Sequence, residues 1–180
     1  MKKLLVLLLV SILVVAMIPT VVMAHTEDDP YRTELIADGG SEETAMDVGD
    51  VLVWNDADNL YVKYFVTDEA WCLIETHLQV ATSLDGIPQK NGNPPPGKFD
   101  FSMEHDGIME YTYAIPLNWD AGTELFIAAH AEIQTEGIGP EGEIIYLDET
   151  AWGAGENFPG KNWAMYFMYT VQEPSAPGAG

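Results

Sequence analysis

Two glutamate–histidine pairs carry the most specific chemistry in this chain. Glu75 and His77 are two residues apart, and so are His130 and Glu132. Residues two apart on a strand project from the same face. If the two segments are neighbours, two imidazoles and two carboxylates converge, a set suited to zinc or another divalent metal. The competing reading makes both histidines hydrogen-bonded members of a polar or partly buried sheet face. Oxygen ligands are more plentiful and less specific. Asp56 and Asp58 fall in Asn55-Asp56-Ala57-Asp58-Asn59, which resembles a calcium loop in composition but lacks the glycine and the distal glutamate of an EF-hand. Asn and Asp are also the ordinary residues of a tight turn. Asp28-Asp29, Glu42-Glu43 with Asp47 and Asp50, and Asp148-Glu149 are further carboxylate groups that could hold calcium.

His25 becomes interesting if the chain is cut after Ala24. Its free amine and imidazole could then chelate copper with His77 or His130, an arrangement that resembles the histidine brace of the lytic polysaccharide monooxygenases. This likeness is at the level of fold and one residue type. Trp54, Trp119, Trp152 and Trp163 fall near turns or strand ends, where exposed rings would stack on sugars. Large aromatics serve as core packing as well. There is no Gly-x-Ser-x-Gly elbow, no phosphate-binding glycine loop and no catalytic context around Cys72. Carboxylates are too abundant for any pair of them to argue for a glycosidase.

The elements that must position these residues are strands. Apolar residues recur with a period of two, in short runs broken by Gly, Asn, Asp and Pro. The pattern predicts strands over Thr33–Ala37, Asp50–Trp54, Leu60–Thr67, Trp71–Ala81, Met109–Leu117, Leu125–Ile133, Glu143–Leu147 and Trp163–Val171. In the fourth, Cys72, Ile74, Thr76, Leu78 and Val80 share one face, and Leu73, Glu75, His77 and Gln79 the other. In the third, Tyr61 and Phe65 lie opposite an already apolar face, which predicts cover on both sides, by another sheet or by another subunit. Ser83 to Gly97 reads as a long loop, and its three consecutive prolines exclude it from a sheet interior. About eight strands and no long helix predict an all-β fold, an antiparallel β-sandwich with a jelly roll as the nearby alternative.

Around that domain the chain divides simply. Lys2-Lys3, the apolar run Leu4–Ile18 and the small residues before His25 predict a cleavable signal peptide over 1–24. A flexible acidic arm follows over 25–32, the sandwich over 33–172 and a disordered tail or linker over 173–180. The whole chain carries 7 basic and 29 acidic residues, a net charge of −22. Two of the basic residues lie in the leader, so the mature chain keeps five against 29 acids, a net of −24. Such a polyanion repels nucleic acid and anionic membrane surfaces, which excludes both as partners. The single cysteine, Cys72, excludes an intrachain disulfide and multi-thiolate metal sites.

A set of short motifs also resembles a broad family of secreted, largely uncharacterised microbial surface β-domains. These are Leu35-Ile36-Ala37 with Val48-Gly49-Asp50-Val51, Trp71-x-Leu73-x-Glu75-Thr76-His77-Leu78, Asn91-Gly92-Asn93-Pro94-x-Pro96-Gly97-x-Phe99, Ala128-Ala129-His130-Ala131 and Glu149-Thr150-Ala151-Trp152-Gly153. The resemblance implies an extracellular β-domain found alone or within larger surface proteins, and it brings no enzymatic activity with it.

The sequence therefore predicts a non-enzymatic, secreted surface protein that self-associates, forms filaments and is stabilised by calcium. The N-terminal arm is a candidate for strand donation to a neighbour. A carbohydrate-binding module with polysaccharide as partner is the first alternative. A copper or zinc enzyme built on His25, His77 and His130 is the second.

Overall fold

The computed structural model describes residues 24–41 and 43–174. The predicted leader over 1–23, Glu42 and the end of the tail over 175–180 lie outside the described residues. Among the described residues ten strands follow one another: β1 (Tyr31–Ala37), β2 (Met46–Asn55), β3 (Asn59–Val66), β4 (Trp71–Ala81), β5 (Phe101–Ile108), β6 (Glu110–Pro116), β7 (Glu124–Ile138), β8 (Ile144–Gly153), β9 (Glu156–Asn157) and β10 (Met165–Thr170). Two short 3-10 turns, Leu84–Gly86 and Pro96–Lys98, sit in the long loop between β4 and β5.

All pairings are antiparallel, in the order β5-β4-β7-β8-β1-β2-β3-β6. β10 adds to the first part of β7 and also pairs with β9. β5 and β6 stand at opposite ends of this order, yet Met109 alone separates them in sequence. The sheet is therefore curled on itself into a sandwich that approaches a barrel. Ring contacts of Tyr111 with His105 and of Tyr113 with Phe101, at 4.7 and 6.0 Å, close the seam.

Period-two alternation explains the interior. Leu60, Val62, Tyr64 and Val66 of β3 share one apolar cluster with Leu125, Ile127, Ala129, Ala131 and Ile133 of β7. Burying such side chains is the main favourable term of folding, roughly 1.5–3 kcal/mol for each large one. The interior also contains a polar chain. The Tyr64 hydroxyl donates to the His77 carbonyl at 2.8 Å, and Tyr113 donates to the Thr76 carbonyl at 3.1 Å. These bonds pin the centre of β4 from across the sandwich.

Three expectations are corrected. First, β4 carries a bulge between Leu73 and Glu75, where the pairing register with β7 shifts. The extra residue, Ile74, reverses the alternation, so that Leu73 joins Thr76, Leu78 and Val80 in the interior. Second, a strand over Phe101–Ile108 follows the proline-rich loop, where none was predicted. Third, β7 and β8 run well past the predicted ends, to Ile138 and Gly153. Among the described residues, no second sheet covers Tyr61 and Phe65 on the outside of β3. Tyr61 stacks on Trp54 with centroids 5.1 Å apart, and Lys63 places its amine 5.3 Å from the Phe65 ring.

Candidate functional site: the outer face of β4 and β7

β7 faces inward with Leu125, Ile127, Ala129, Ala131 and Ile133, so Phe126, Ala128, His130, Glu132 and Gln134 face outward. Antiparallel pairing sets His130 opposite His77 and Glu132 opposite Glu75. The rows continue on both sides. Ser102 of β5 stands beside His77, and Trp152 of β8 beside His130. Glu104 of β5 stands beside Glu75, and Thr150 beside Glu132. Three glutamates are thus abreast on neighbouring strands, next to a row holding two histidines. Like charges directly opposite one another on a sheet destabilise it.

The histidines are almost wholly buried, His77 at 6% and His130 at 5% exposure. Their Nδ1 atoms are 3.3 Å apart, and Nε2 of His77 lies 3.1 Å from Oε1 of Glu75. The Trp152 ring meets His130 edge-on, with centroids 4.8 Å apart. Burial first, and then the neighbouring His77, push the His130 pKa down from 6.5 to about 3. His130 is accordingly neutral across the physiological range.

A second, smaller core roofs one end of this face. Ile87, Phe99, Ala128, Trp152, Phe158, Ala164 and Tyr166 form it, from β7, β8, β10 and two loops. The loop over 82–100 is clamped to the sheet by Gln79. Its amide nitrogen donates to Asp100 at 2.7 Å, and its amide oxygen accepts the Asp100 backbone N–H at 2.9 Å. Asn93 ties the loop to the next one by accepting the N–H groups of Lys161 and Asn162 at 2.8 and 3.0 Å. Gly92 sits between these loops with φ of 78°, and a Cβ there would come 2.7 Å from the Gly160 nitrogen. The Asn-Gly-Asn segment is therefore a structural tie.

The other carboxylates go elsewhere. Glu149 pairs with the inward-facing Ile133, so it lies on the opposite face of the sheet from Glu132. Asp56 closes the β2–β3 turn, accepting N–H groups of Asp58 and Asn59 at 2.8 and 2.7 Å and the Tyr61 hydroxyl at 2.9 Å. Burial acts to raise its pKa, but these donors outweigh it and hold the carboxyl below the usual range. Asp58 is exposed beside it, and both line a surface recess of about 390 Å³ with His25 and Trp54.

His25 packs against Tyr31 and Tyr169, with centroids 6.1 Å away in each case. Tyr169 faces the sandwich interior, so His25 does not join His77 and His130, and the expected three-histidine copper set is not assembled. Among the described residues, no group of three or more His, Cys, Asp or Glu is arranged to hold a metal ion. The sugar-stacking expectation is corrected for Trp54 and Trp152, which are buried, while Trp119 and Trp163 are half-buried. Trp163 lies over Gly39, where a Cβ would come 2.6 Å from its ring.

Glu104 is the member of the site that sequence reasoning missed, and Trp152 was expected only as a sugar-stacking ring. The alternation of Ser102, Glu104 and Asp106 with Phe101, Met103 and His105 was the signal for the first. Trp152 is fixed beside His130 only by the long β7–β8 register. Among the described residues, no helix is long and apolar enough to cross a membrane. Compared with family models, with curated proteins and with solved structures, the chain finds no match.

Proposed function

We propose that the chain is a non-enzymatic extracellular building block that associates with copies of itself through the β7–β8 hairpin. One observation carries this reading. Beyond Thr135 the hairpin has no β4 partner, and it projects with Ile138, Ile144, Tyr146 and Leu147 at 75, 60, 62 and 47% exposure. Among the described residues, Ile144 to Glu149 pair only with β7, because β1 reaches β8 at Ala151 to Gly153. Proteins usually blunt such an edge with charge, proline or a cover. Large apolar residues on an open edge favour pairing with another strand. An identical β8 across a two-fold axis offers the same edge in the antiparallel sense.

The charge of the chain adds a condition. Copies of the mature chain, at a net charge of −24, repel one another, so association strengthens as salt or calcium screens them. This is the sense in which the assembly is calcium-stabilised. Secretion, as predicted from the N-terminal segment, and the resemblance to surface β-domains agree with such a role. Sedimentation velocity over a concentration series, in calcium and in EDTA, tests the reading. The expected result is a concentration-dependent shift to dimers or larger species that weakens in EDTA at low salt. A monomer at every concentration in both buffers overturns it.

A further inference from the structure

We propose that the recess beside Trp163 binds a uronate unit of an acidic extracellular polysaccharide, with Lys161 as the partner of the sugar carboxylate. The mature chain keeps five basic residues against 29 acids. Two of the five are paired, Arg32 with Asp50 and Lys63 with Glu110. Lys90, Lys98 and Lys161 are exposed and, among the described residues, have no ion-pair partner. They fall in two segments, 86–99 and 157–172, which hold no Asp or Glu at all. Asn93 brings two of these lysines together. It exchanges backbone hydrogen bonds with Lys90 at 2.8 and 3.1 Å, and its side chain accepts the Lys161 N–H at 2.8 Å. A strongly acidic molecule thus has one cationic cap. At physiological salt, charges more than about 8 Å away are largely screened, so a ligand at this cap meets the lysines rather than the net charge.

A recess of about 440 Å³ opens in this cap, within the roughly 300–1,000 Å³ usual for small-molecule sites. Lys161, Asn157, Asn162 and Trp163 line it together with Gly39 and Gly40, and no Asp or Glu does. The Trp163 indole lies along those two glycines, where a Cβ would come 2.6 Å from it at Gly39 and 3.7 Å at Gly40. Their lack of side chains lets the ring stand as one wall. An aromatic wall suits the apolar C–H face of a sugar ring. Asn157 and Asn162 are exposed, and among the described residues they are bonded through their backbones alone. Each carboxamide therefore keeps two donors and an acceptor for sugar hydroxyls. The Lys161 ammonium supplies the charge-assisted bond that separates an acidic sugar from a neutral one. The recess shares no residue with the β7–β8 hairpin, and occupying it does not require self-association.

Calorimetric titration of the full chain in EDTA tests this, with oligogalacturonate and oligoalginate as probes, each beside its methyl ester. Sulfated dextran and single-stranded DNA are the controls. The expected result is that at least one of the two uronates binds, its ester at least tenfold more weakly, and both controls more weakly than the acid. Lys161→Gln should lower affinity for the acid at least tenfold, to the level of the ester. Trp163→Ala should remove binding of acid and ester alike. If Trp163→Ala fails to fold by circular dichroism, Asn162→Ala replaces it, with several-fold loss for both forms and their ratio kept. No binding of either uronate overturns the proposal, and so does affinity unchanged in Lys161→Gln. Equal binding of acid and ester also overturns it, as a site for neutral sugar. Binding of sulfated dextran or DNA as tight as that of the uronate overturns it as well, since surface lysines then attract any polyanion.

Discussion

His130 shows how a residue's surroundings override its intrinsic chemistry. Free histidine ionises near 6.5, whereas in the folded chain this imidazole does so only near 3. The unfolded chain therefore takes up this proton first as pH falls. The stability contributed by the neutral imidazole is complete above pH 6.5 and is lost progressively toward pH 3. At about 1.4 kcal/mol per unit, the loss at the acid end is on the order of a few kcal/mol. The protein is expected to lose melting temperature steadily between pH 6.5 and 4, and His130→Gln to show a flatter profile, as read by calorimetry. Asp56 acts through geometry instead. Asp56→Ala removes the acceptor for two backbone N–H groups and one hydroxyl, and is expected to cost about 1 kcal/mol in urea unfolding. At this scale the sequence was informative about faces. Spacing by two put Glu75 with His77 and His130 with Glu132, and the structure places all four side chains on one face. It was silent on depth, because Trp152, which packs on His130, is itself packed by Phe99 and Phe158, and all three are distant from His130 in the chain.

Elements were legible wherever apolar alternation was strong and obscured wherever polar residues interrupted it. β3 alternates Leu60, Val62, Tyr64 and Val66 and lies within one residue of its expected bounds. β5 carries Glu104, His105, Asp106 and Gly107 in one short stretch, and its strand character depends on pairing with β4. The bulge at Ile74 had no local signal, since an inserted residue becomes visible only against the partner strand. The loop over 82–100 gave the opposite lesson. Its prolines marked it as irregular, but it is bound down by Gln79 and Asp100. Gln79→Ala leaves the Asp100 groups without their partner and is expected to cost roughly 1–3 kcal/mol. Amide hydrogen exchange should then accelerate across 82–100 while β3 and β6 stay protected. Equal acceleration everywhere would mean that the clamp serves the whole sandwich.

At the scale of the molecule, a fold with an apolar interior also displays a two-stranded flange with large apolar side chains. The acidic surplus determines when two flanges meet. Repulsion between copies dominates at low ionic strength, and hydrophobic contact and edge pairing dominate once it is screened. Raising the salt concentration should therefore promote association, the reverse of an interface held by ion pairs. Replacing Ile144 with Lys and Tyr146 with Glu should abolish association with little change in melting temperature, because both side chains are exposed in the single chain. The most direct measurement is hydrogen–deuterium exchange of the wild-type protein, dilute and concentrated, in calcium-containing buffer. Assembly through the flange predicts concentration-dependent protection confined to residues 136–150. Protection elsewhere, or none at any concentration, contradicts it.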